Sequence, residues 1–383
     1  MLLARARAWA DWLLRSWRRL LGVLAVALAT VFIGGVLFAW SGLYSVAASS
    51  GHWLAFELLL RFGMENSVRT HAPGLTPPDL RDEDLVRLGA GHFHAGCAFC
   101  HGSPGMPVGA AALTMLPPPS DLADKVPEWT DQELFWIVRH GIKYTGMPAW
   151  PAQGRDDEVW VLVAFLRRLP ALDAASYKAV ALGEVEAKPE TARQIASGEG
   201  RVDTVEACAR CHGLENGPRS ALVPVLHGQS REMLETALRA YRSRDRDSGI
   251  MQVATAELDD KAIGDLAAFY ARLTVPRLQA GPGDQGAVER GAVLAAQGHP
   301  GQRVPACLSC HGEAGLPTYP RLSGQSARYL TGQLATWRSG LNARTLGGMI
   351  MAPIAQRLTA QQVADVSAYF ASLPLPASRE AGR

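Results

Sequence analysis

The sequence lacks a strong net charge, a high content of charged residues and any cysteine outside three short motifs. Its 38 Lys and Arg and 36 Asp and Glu leave a net charge of +2, so the chain has no overall basic field for nucleic acid. Charged residues make up 19% and hydrophobic residues 48%, which excludes a disordered chain. A mean hydropathy of +0.01 excludes a polytopic membrane protein. The 383 residues therefore predict a mainly soluble protein of about two to four domains that binds no nucleic acid.

All six cysteines lie in Cys-x-x-Cys-His pentapeptides, so none remains for a disulfide. This pentapeptide is the attachment signal for c-type haem. On a helical turn its first, fourth and fifth residues share one face, so both thiols can bond to the porphyrin edge while the imidazole reaches the iron. Three motifs predict three covalently bound haem c groups, each with iron. The predicted attachment and ligand residues are Cys97, Cys100 and His101, then Cys208, Cys211 and His212, then Cys307, Cys310 and His311.

Two other uses of paired cysteines fit the sequence poorly. A structural zinc site needs two Cys-x-x-Cys pairs about 15 to 20 residues apart, whereas 111 residues separate Cys97 from Cys208 and 99 separate Cys208 from Cys307. A thioredoxin-like redox pair needs a preceding strand, and the residues before each motif follow a helical pattern instead. Neither alternative accounts for a histidine in all three motifs.

One apolar run near the N-terminus predicts a membrane anchor. Residues 20–40 form a 21-residue stretch without a charge, which suffices to cross a hydrocarbon core of about 30 Å. Five arginines precede it, so the positive-inside rule places the N-terminus in the cytoplasm and everything after Trp40 outside. The alternative is a cleaved signal peptide, because Val46-Ala47-Ala48 resembles a cleavage site; the length of the run favours a retained anchor. Residues 52–62 could form an amphipathic helix at the outer surface or a second packed helix.

The second and third pentapeptides head two similar stretches of sequence. Gly228-Gln229-Ser230 recurs as Gly324-Gln325-Ser326, and the segment 265–270 recurs 100 residues later as 365–370. The first copy is more distant but keeps the order of a proline-rich loop (117–119), a helical stretch (130–139), a methionine and a closing helix (156–169). The apolar spacing predicts an almost wholly α fold, in which prolines 170, 276 and 374 end the closing helices. Residues 171–190 and 276–286 are predicted linkers.

Three methionines occupy comparable places downstream of the motifs and are the predicted sixth ligands. Met147 lies 46 residues after His101, Met251 lies 39 after His212, and Met351 lies 40 after His311. A thioether closes the iron site and raises its potential. Met349 could ligate in place of Met351, although alignment with Met251 favours Met351. His140 could ligate in principle, but its place at a helix end predicts a partly exposed side chain. Surface or linker roles are predicted for His52, His71, His92, His94, His227 and His299.

These motifs resemble those of class I c-type cytochromes. Residues 190–375 are similar to di-haem cytochrome c4, in the Gly-Gln-Ser segments and in the Met and aromatic pair that follow. Residues 82–170 are similar to the single-haem modules of membrane-bound cytochromes c, notably in Gly-Met-Pro-Ala-Trp at 146–150. The resemblance implies an all-α chain with one N-terminal transmembrane helix followed by three class I cytochrome c domains. The expected divisions are an anchor at 1–48, a juxtamembrane segment at 49–81 and cytochrome c domains at 82–170, 190–275 and 286–375.

The resemblance also implies two local details. A proline carbonyl after each motif is expected to accept the second N–H of the haem histidine: Pro224 and Pro320 fit this role, and Pro118 or Pro119 fits it in the first domain. A glycine of the first helix is expected to let the closing helix cross tightly. The candidates for this crossing are Gly89, Gly198 and Gly291.

The expected function is electron transfer rather than enzymatic catalysis. The chain would lie in a bacterial inner membrane, with its haem domains in the periplasm, and carry electrons between a quinol-oxidising complex and a haem-copper terminal oxidase. The main alternative is the cytochrome subunit of a periplasmic alcohol, aldehyde or sugar dehydrogenase. A haem peroxidase is the least expected function, because it needs an open iron and each domain offers a methionine.

Overall fold

The computed structural model describes residues 16–72, 74–183, 204–274, 276 and 284–375. These residues form α-helices and short 3₁₀ turns, and none of them lies in a β-strand beyond two isolated bridges. The all-α fold with an N-terminal apolar helix is therefore confirmed. Contacts divide the chain into two compact units, residues 1–58 and residues 59–383.

The first unit is dominated by helix α1, Trp17–Ser41. It is 25 residues long, has no buried residue and is long and apolar enough to cross a membrane. Gly42 ends it in the left-handed conformation, with φ 67°. A 3₁₀ turn, Ala48–Ser50, follows, and the Tyr44 hydroxyl bonds to His52 Nδ1 at 2.7 Å.

Helix α2, Leu54–His71, covers most of the segment for which the sequence left two helical interpretations open. Its first half exposes apolar side chains such as Leu54, Leu59 and Phe62. In its last turns Val68 is fully buried, and the Arg69 guanidinium lies 5.8 Å from the Trp129 ring. The C-terminal turns of α2 therefore pack against residues that follow the first pentapeptide.

The second unit holds all three pentapeptides. We call the predicted ranges 82–170, 190–275 and 286–375 the first, second and third domains. The helices that follow α2, up to the end of the first domain, are α3 Glu83–Gly96, α4 Ala98–His101, α5 Ala110–Leu113, α6 Leu122–Lys125, α7 Asp131–His140 and α8 Asp156–Arg168.

Helices α3 and α8 form the core of the first domain. They cross at Gly89, where an added Cβ would lie 2.3 Å from Val161 O and 2.8 Å from Phe165 Cβ. Phe93 and Phe165 meet at this crossing with ring centroids 5.1 Å apart, and both are buried. The expectation that Gly89 permits a tight crossing is confirmed, since a side chain there would overlap the backbone of α8.

The predicted linker at 171–190 is wrong in its first half. Residues Ala174–Ala181 form helix α9, which Asp173 caps by accepting from Ser176 N at 2.7 Å. Tyr177 is buried against Phe93, and its hydroxyl lies 3.0 Å from His94 Nδ1. The alanines favour a helix, and the buried side chains of Tyr177, Ala181 and Leu182 join it to the core of the first domain. Residues 184–190 and most of 276–286 lie outside the described residues.

The second and third domains repeat one arrangement. In the second, α10 Thr204–His212, α11 Arg231–Arg242, α12 Gly249–Thr255 and α13 Asp260–Arg272 follow in order. In the third, the helices are α14 Gln285–Gln297, α15 Leu308–His311, α16 Ala327–Arg338, α17 Leu346–Arg357 and α18 Ala360–Ser372. Helices α14 and α18 cross at Gly291, where an added Cβ would lie 2.0 Å from Asp365 O, so this candidate is also confirmed. Gly198 lies outside the described residues.

The repeated Gly-Gln-Ser segments join the second domain to the third. Gln229 Nε2 donates to Arg321 O at 2.9 Å, and its Oε1 accepts from Arg321 N at 3.0 Å. Gln325 makes the equivalent pair with Val225, at 2.7 and 2.9 Å. Since Gln229 and Gln325 are 96 residues apart, as are Val225 and Arg321, the two domains exchange the same contacts.

The neighbouring residues of these segments shape the turn. Gly228 and Gly324 both adopt φ 73°, a left-handed conformation that favours glycine. Ser230 and Ser326 cap helices α11 and α16. Each residue of the repeated motif therefore has a structural role: the turn, the contact between domains and the helix cap.

Replacing Gln325 by methionine should lower the free energy of unfolding. Gln325 is 2% exposed, so an apolar side chain of similar length leaves the N–H and C=O of Val225 buried without partners. We expect a loss of about 2 kcal/mol or more, measured by chemical denaturation of the protein with its haems. Gln356→Met, at an exposed position of α17, is the matched control and should change stability little. Equal stabilities for the two variants would contradict this account.

Candidate haem-binding sites

Each pentapeptide forms a helical turn, as its spacing predicts. His101 N donates to Cys97 O at 3.0 Å, and His311 N donates to Cys307 O at 2.9 Å. The second pentapeptide lies entirely within α10. The two cysteines and the histidine of each motif are therefore at positions that share one helix face.

The three motif histidines make the same hydrogen bond. Nδ1 of His212 bonds to Pro224 O at 3.1 Å, and Nδ1 of His311 bonds to Pro320 O at 2.8 Å, as the resemblance implied. In the first domain His101 Nδ1 bonds to Ser120 O at 3.0 Å, so the expectation of Pro118 or Pro119 is wrong. The proline run ends before the position where the carbonyl faces the ring.

This hydrogen bond leaves the other ring nitrogen available. A carbonyl oxygen only accepts, so Nδ1 carries the hydrogen and Nε2 keeps its lone pair. Burial lowers the pKa of His212 to about 4 and lowers that of His311, which favours the neutral ring. A neutral imidazole held through Nδ1 is the form that binds a metal through Nε2.

None of the six cysteines forms a disulfide, and all six residues are half-buried. Burial, with a smaller effect of the second cysteine of each motif, raises the pKa of Cys97 and Cys208 to about 12. Burial also raises the pKa of Cys307 to about 11. Burial is the main cause of the raised pKa of the first thiol in each motif.

The structure places the three predicted methionines differently. Met147 lies in the loop after α7, where Thr145 Oγ1 accepts from its N–H at 3.1 Å. Met251 and Met351 lie on α12 and α17, each the last helix before a closing helix. All three side chains are half-buried, whereas Met349 is 58% exposed. This difference favours Met351 over Met349, and the ligand set remains a prediction.

Two buried indoles lack a partner among the described residues. Trp150 Nε1 and Trp337 Nε1 are buried donors without a hydrogen bond, although buried N–H groups normally have one. Haem carries two carboxylates that can accept such bonds. Each motif also offers a histidine with an available Nε2 and two cysteine thiols. These groups, together with the indole donors, fit covalently bound haem.

Two of the histidines expected at the surface are buried. His92 is 6% exposed and lies against Trp150, with ring centroids 5.0 Å apart; burial lowers its pKa to about 4. His227 is fully buried, and its Nε2 bonds to Leu214 O. The sequence gives no signal for either: His92 stands in no motif, and His227 precedes the repeated Gly-Gln-Ser segment but corresponds to Ser323 in the other copy. His140 is exposed at the end of α7, as predicted.

The first and second domains meet beside the second pentapeptide. Cys211 Sγ lies against Gly91 of α3, where an added Cβ would be 3.0 Å from the sulfur. Gly91 is six residues before Cys97, or about 9 Å along a helix. Helix α3 therefore contacts Cys211 of the second site at Gly91 and leads directly to Cys97 of the first site.

Comparison with known proteins identifies related families for two parts of the chain. The family described as "Cytochrome C oxidase, cbb3-type, subunit III" matches residues 84–166, and the family "Cytochrome c" matches residues 288–374. The "Thiosulfate dehydrogenase electron acceptor" of Stutzerimonas stutzeri is 32% identical over 199 residues, 51% of this chain and 92% of that protein. Cytochrome c4 of Thiocapsa roseopersicina is 35% identical over 182 residues, 46% of this chain and 91% of that protein.

One solved structure of a related protein covers a similar share of the chain. Cytochrome c4 of Acidithiobacillus ferrooxidans is 31% identical, with a TM-score of 0.40, and the match covers 43% of this chain and 98% of that one. These matches to cytochrome c4 and to the electron acceptor cover about half of the chain.

Proposed function

Since this chain belongs to the multi-haem c-type cytochromes and resembles cytochrome c4, we propose that it carries electrons on the periplasmic side of a bacterial inner membrane toward a haem-copper terminal oxidase. It is an electron-transfer protein with three covalently bound haem c groups. In this proposal α1 is a retained anchor, and a quinol-oxidising complex supplies the electrons.

The proposed iron ligands are the three motif histidines and one methionine from each domain. Bound haem supplies the one-electron change between ferric and ferrous iron. The carbonyls of Ser120, Pro224 and Pro320 hold each imidazole in one tautomer and orientation. Met147, Met251 and Met351 would supply the second protein ligand of each iron, which would favour a high potential and leave no position for a substrate.

The packing of all three pentapeptides into one compact unit carries the proposal. Residues 59–383 form a single unit, and Cys211 touches the helix that leads to Cys97. Arg328 of the third domain bonds to Asp82 at 2.5 Å and to Asp84 at 2.6 Å in the first. Contacts of this kind keep the sites at fixed separations, as stepwise electron transfer requires.

Two observations support different partners. The match of residues 84–166 to an oxidase subunit family favours transfer toward an oxidase. The similarity to the electron acceptors of thiosulfate dehydrogenase in Stutzerimonas stutzeri and Thiomonas intermedia favours a second candidate, an electron acceptor for a periplasmic dehydrogenase. The first candidate receives its electrons from a quinol-oxidising complex, whereas the second receives them from a periplasmic dehydrogenase.

Stopped-flow spectroscopy of the full chain with its haems distinguishes these partners. We expect the reduced protein to be oxidised by membranes that contain a haem-copper oxidase, with a rate constant of at least about 10⁵ M⁻¹s⁻¹. Cyanide-treated membranes are the control and should not oxidise it. Slow oxidation by the untreated, oxidase-containing membranes, combined with rapid reduction by thiosulfate dehydrogenase and thiosulfate, would favour the second candidate and contradict the first.

A further inference from the structure

Residues 247–249, which lead into α12, are held by the closing helix of the first domain and the residue before it. Arg155 Nη1 donates to Asp247 O at 2.8 Å and lies 3.0 Å from Glu158 Oε1. Arg155 also forms two hydrogen bonds to the Asp157 carboxylate, at 2.9 and 2.8 Å. Arg155 therefore fixes both the backbone of Asp247, just before α12, and the carboxylate of Glu158.

Glu158 connects α8 to the backbone of the proposed ligand Met251. Its side chain is nearly inaccessible, with 5% of the residue exposed. Ser248 Oγ donates to Oε1 and Gly249 N donates to Oε2, both at 2.6 Å. Ser248 Oγ in turn accepts from Met251 N at 3.0 Å. Hydrogen bonds thus run without a break from Glu158 to Met251.

Apolar packing reinforces the same contact. The Trp150 indole lies against Gly249 so closely that an added Cβ would be 2.3 Å from its Cε2 and Nε1. Ile250 packs against the core of the first domain. The first turn of α12 cannot move away from the first domain without breaking both the hydrogen bonds and this packing.

The equivalent helix of the third domain is held differently. Thr345 caps α17 by accepting from Gly348 N at 2.9 Å, and its hydroxyl donates to Asn342 O at 3.5 Å, so both bonds lie within the third domain. Asn342 also bonds to Asp247 N, and the Asp247 carboxylate accepts from Arg344 Nη2 at 2.8 Å. Residues 247–249 therefore contact both other domains.

We propose that Glu158 is a positioning residue for the thioether of Met251, so that the first domain controls how firmly the second iron is closed. The inference rests on the ligand role proposed above for Met251. A methionine–iron bond is weak, and the position of its backbone decides how readily the sulfur is displaced. Glu158→Gln keeps the shape but replaces one of the two carboxylate oxygens, each of which accepts a bond, with an amide NH2 group that can only donate.

Imidazole competition on the full chain with its three haems tests this role. In E158Q we expect one of the three haems to bind imidazole at least tenfold more tightly, and the other two to behave as in the unaltered protein. Ser248→Ala, which removes only the hydroxyl between Glu158 and Met251, should give a smaller change at the same haem. Met251→Ala identifies that haem by loss of its methionine–iron charge-transfer band. E158Q added to M251A should change imidazole binding no further.

Asp365→Asn is the matched control for a structural effect. Asp365 is also a buried carboxylate, and Arg290 donates to it at 2.8 and 2.9 Å within the third domain. D365N should lower thermal stability without changing imidazole binding at the Met251 haem. If E158Q lowers stability in the same way and binds imidazole as the unaltered protein does, the positioning role is refuted. If the charge-transfer bands of all three haems survive M251A, the ligand role of Met251 itself is refuted.

Discussion

Alanine at position 351 should remove the methionine–iron charge-transfer band from one of the three haems and lower its midpoint potential. A thioether favours the reduced iron, so its loss should shift the potential downward by a few tenths of a volt, within the ~0.8 V that axial ligands span. Spectroelectrochemical titration of the full chain measures both effects. We expect two haems to keep their potentials, because Met147 and Met251 are untouched.

Met349→Ala is the matched control for this experiment. Met349 lies on the same helix, two residues away, and is 58% exposed, whereas Met351 is half-buried. The control should leave all three bands and potentials in place. If M349A removes a band and M351A does not, Met349 is the ligand and the alignment with Met251 is misleading.

Alanine at Gly291 should strongly destabilise the third domain, although it adds only one methyl group. The added Cβ would lie 2.0 Å from Asp365 O, 2.6 Å from Asp365 C and 2.8 Å from Tyr369 Cβ. Two of these atoms belong to the backbone of α18, so the helices must separate. We expect the free energy of unfolding to fall by about 3 kcal/mol or more, measured by chemical denaturation followed by circular dichroism.

Gly332→Ala provides the same substitution in a helix without the crossing. No atom lies within 4 Å of an added Cβ at this exposed position of α16. Alanine favours a helix over glycine by about 1 kcal/mol, so this variant should be as stable as the unaltered protein or slightly more so. If Gly291→Ala proves as stable as Gly332→Ala, α14 and α18 can separate at Gly291 at little cost, which would contradict this prediction.

The sequence predicted those features that depend on local spacing. The pentapeptides, the helical stretch at 130–139 and the closing helix at 156–169 follow from neighbours along the chain. The proline carbonyls near His212 and His311 were implied by the resemblance to class I c-type cytochromes. The repetition of Gly-Gln-Ser indicated sister domains. It did not reveal that the glutamines join them, because a sequence does not show which repeats face each other.

The features that were missed depend on contacts between distant residues. Glu158 looks like an ordinary acidic residue in the first turn of a helix, and only the fold brings Ser248 to it. His227 follows an apolar residue in a loop, and its complete burial results from the elements packed around it. The helix at Ala174–Ala181 has an alanine-rich composition that also suits a linker. It forms because Tyr177, Ala181 and Leu182 are buried in the core of the first domain, which the sequence does not show.

The exchange of glutamine contacts between the second and third domains has a consequence for each domain alone. Each domain carries one glutamine and one backbone segment that bonds to the other domain's glutamine: Gln229 and Val225 in the second, Gln325 and Arg321 in the third. Each contact surface is therefore self-complementary. Two identical copies of such a surface can form the same glutamine–backbone hydrogen bonds with each other about a twofold axis. A third domain excised from the chain would therefore carry the means to associate with itself, and the covalent connection to its sister turns this self-association into a fixed pair.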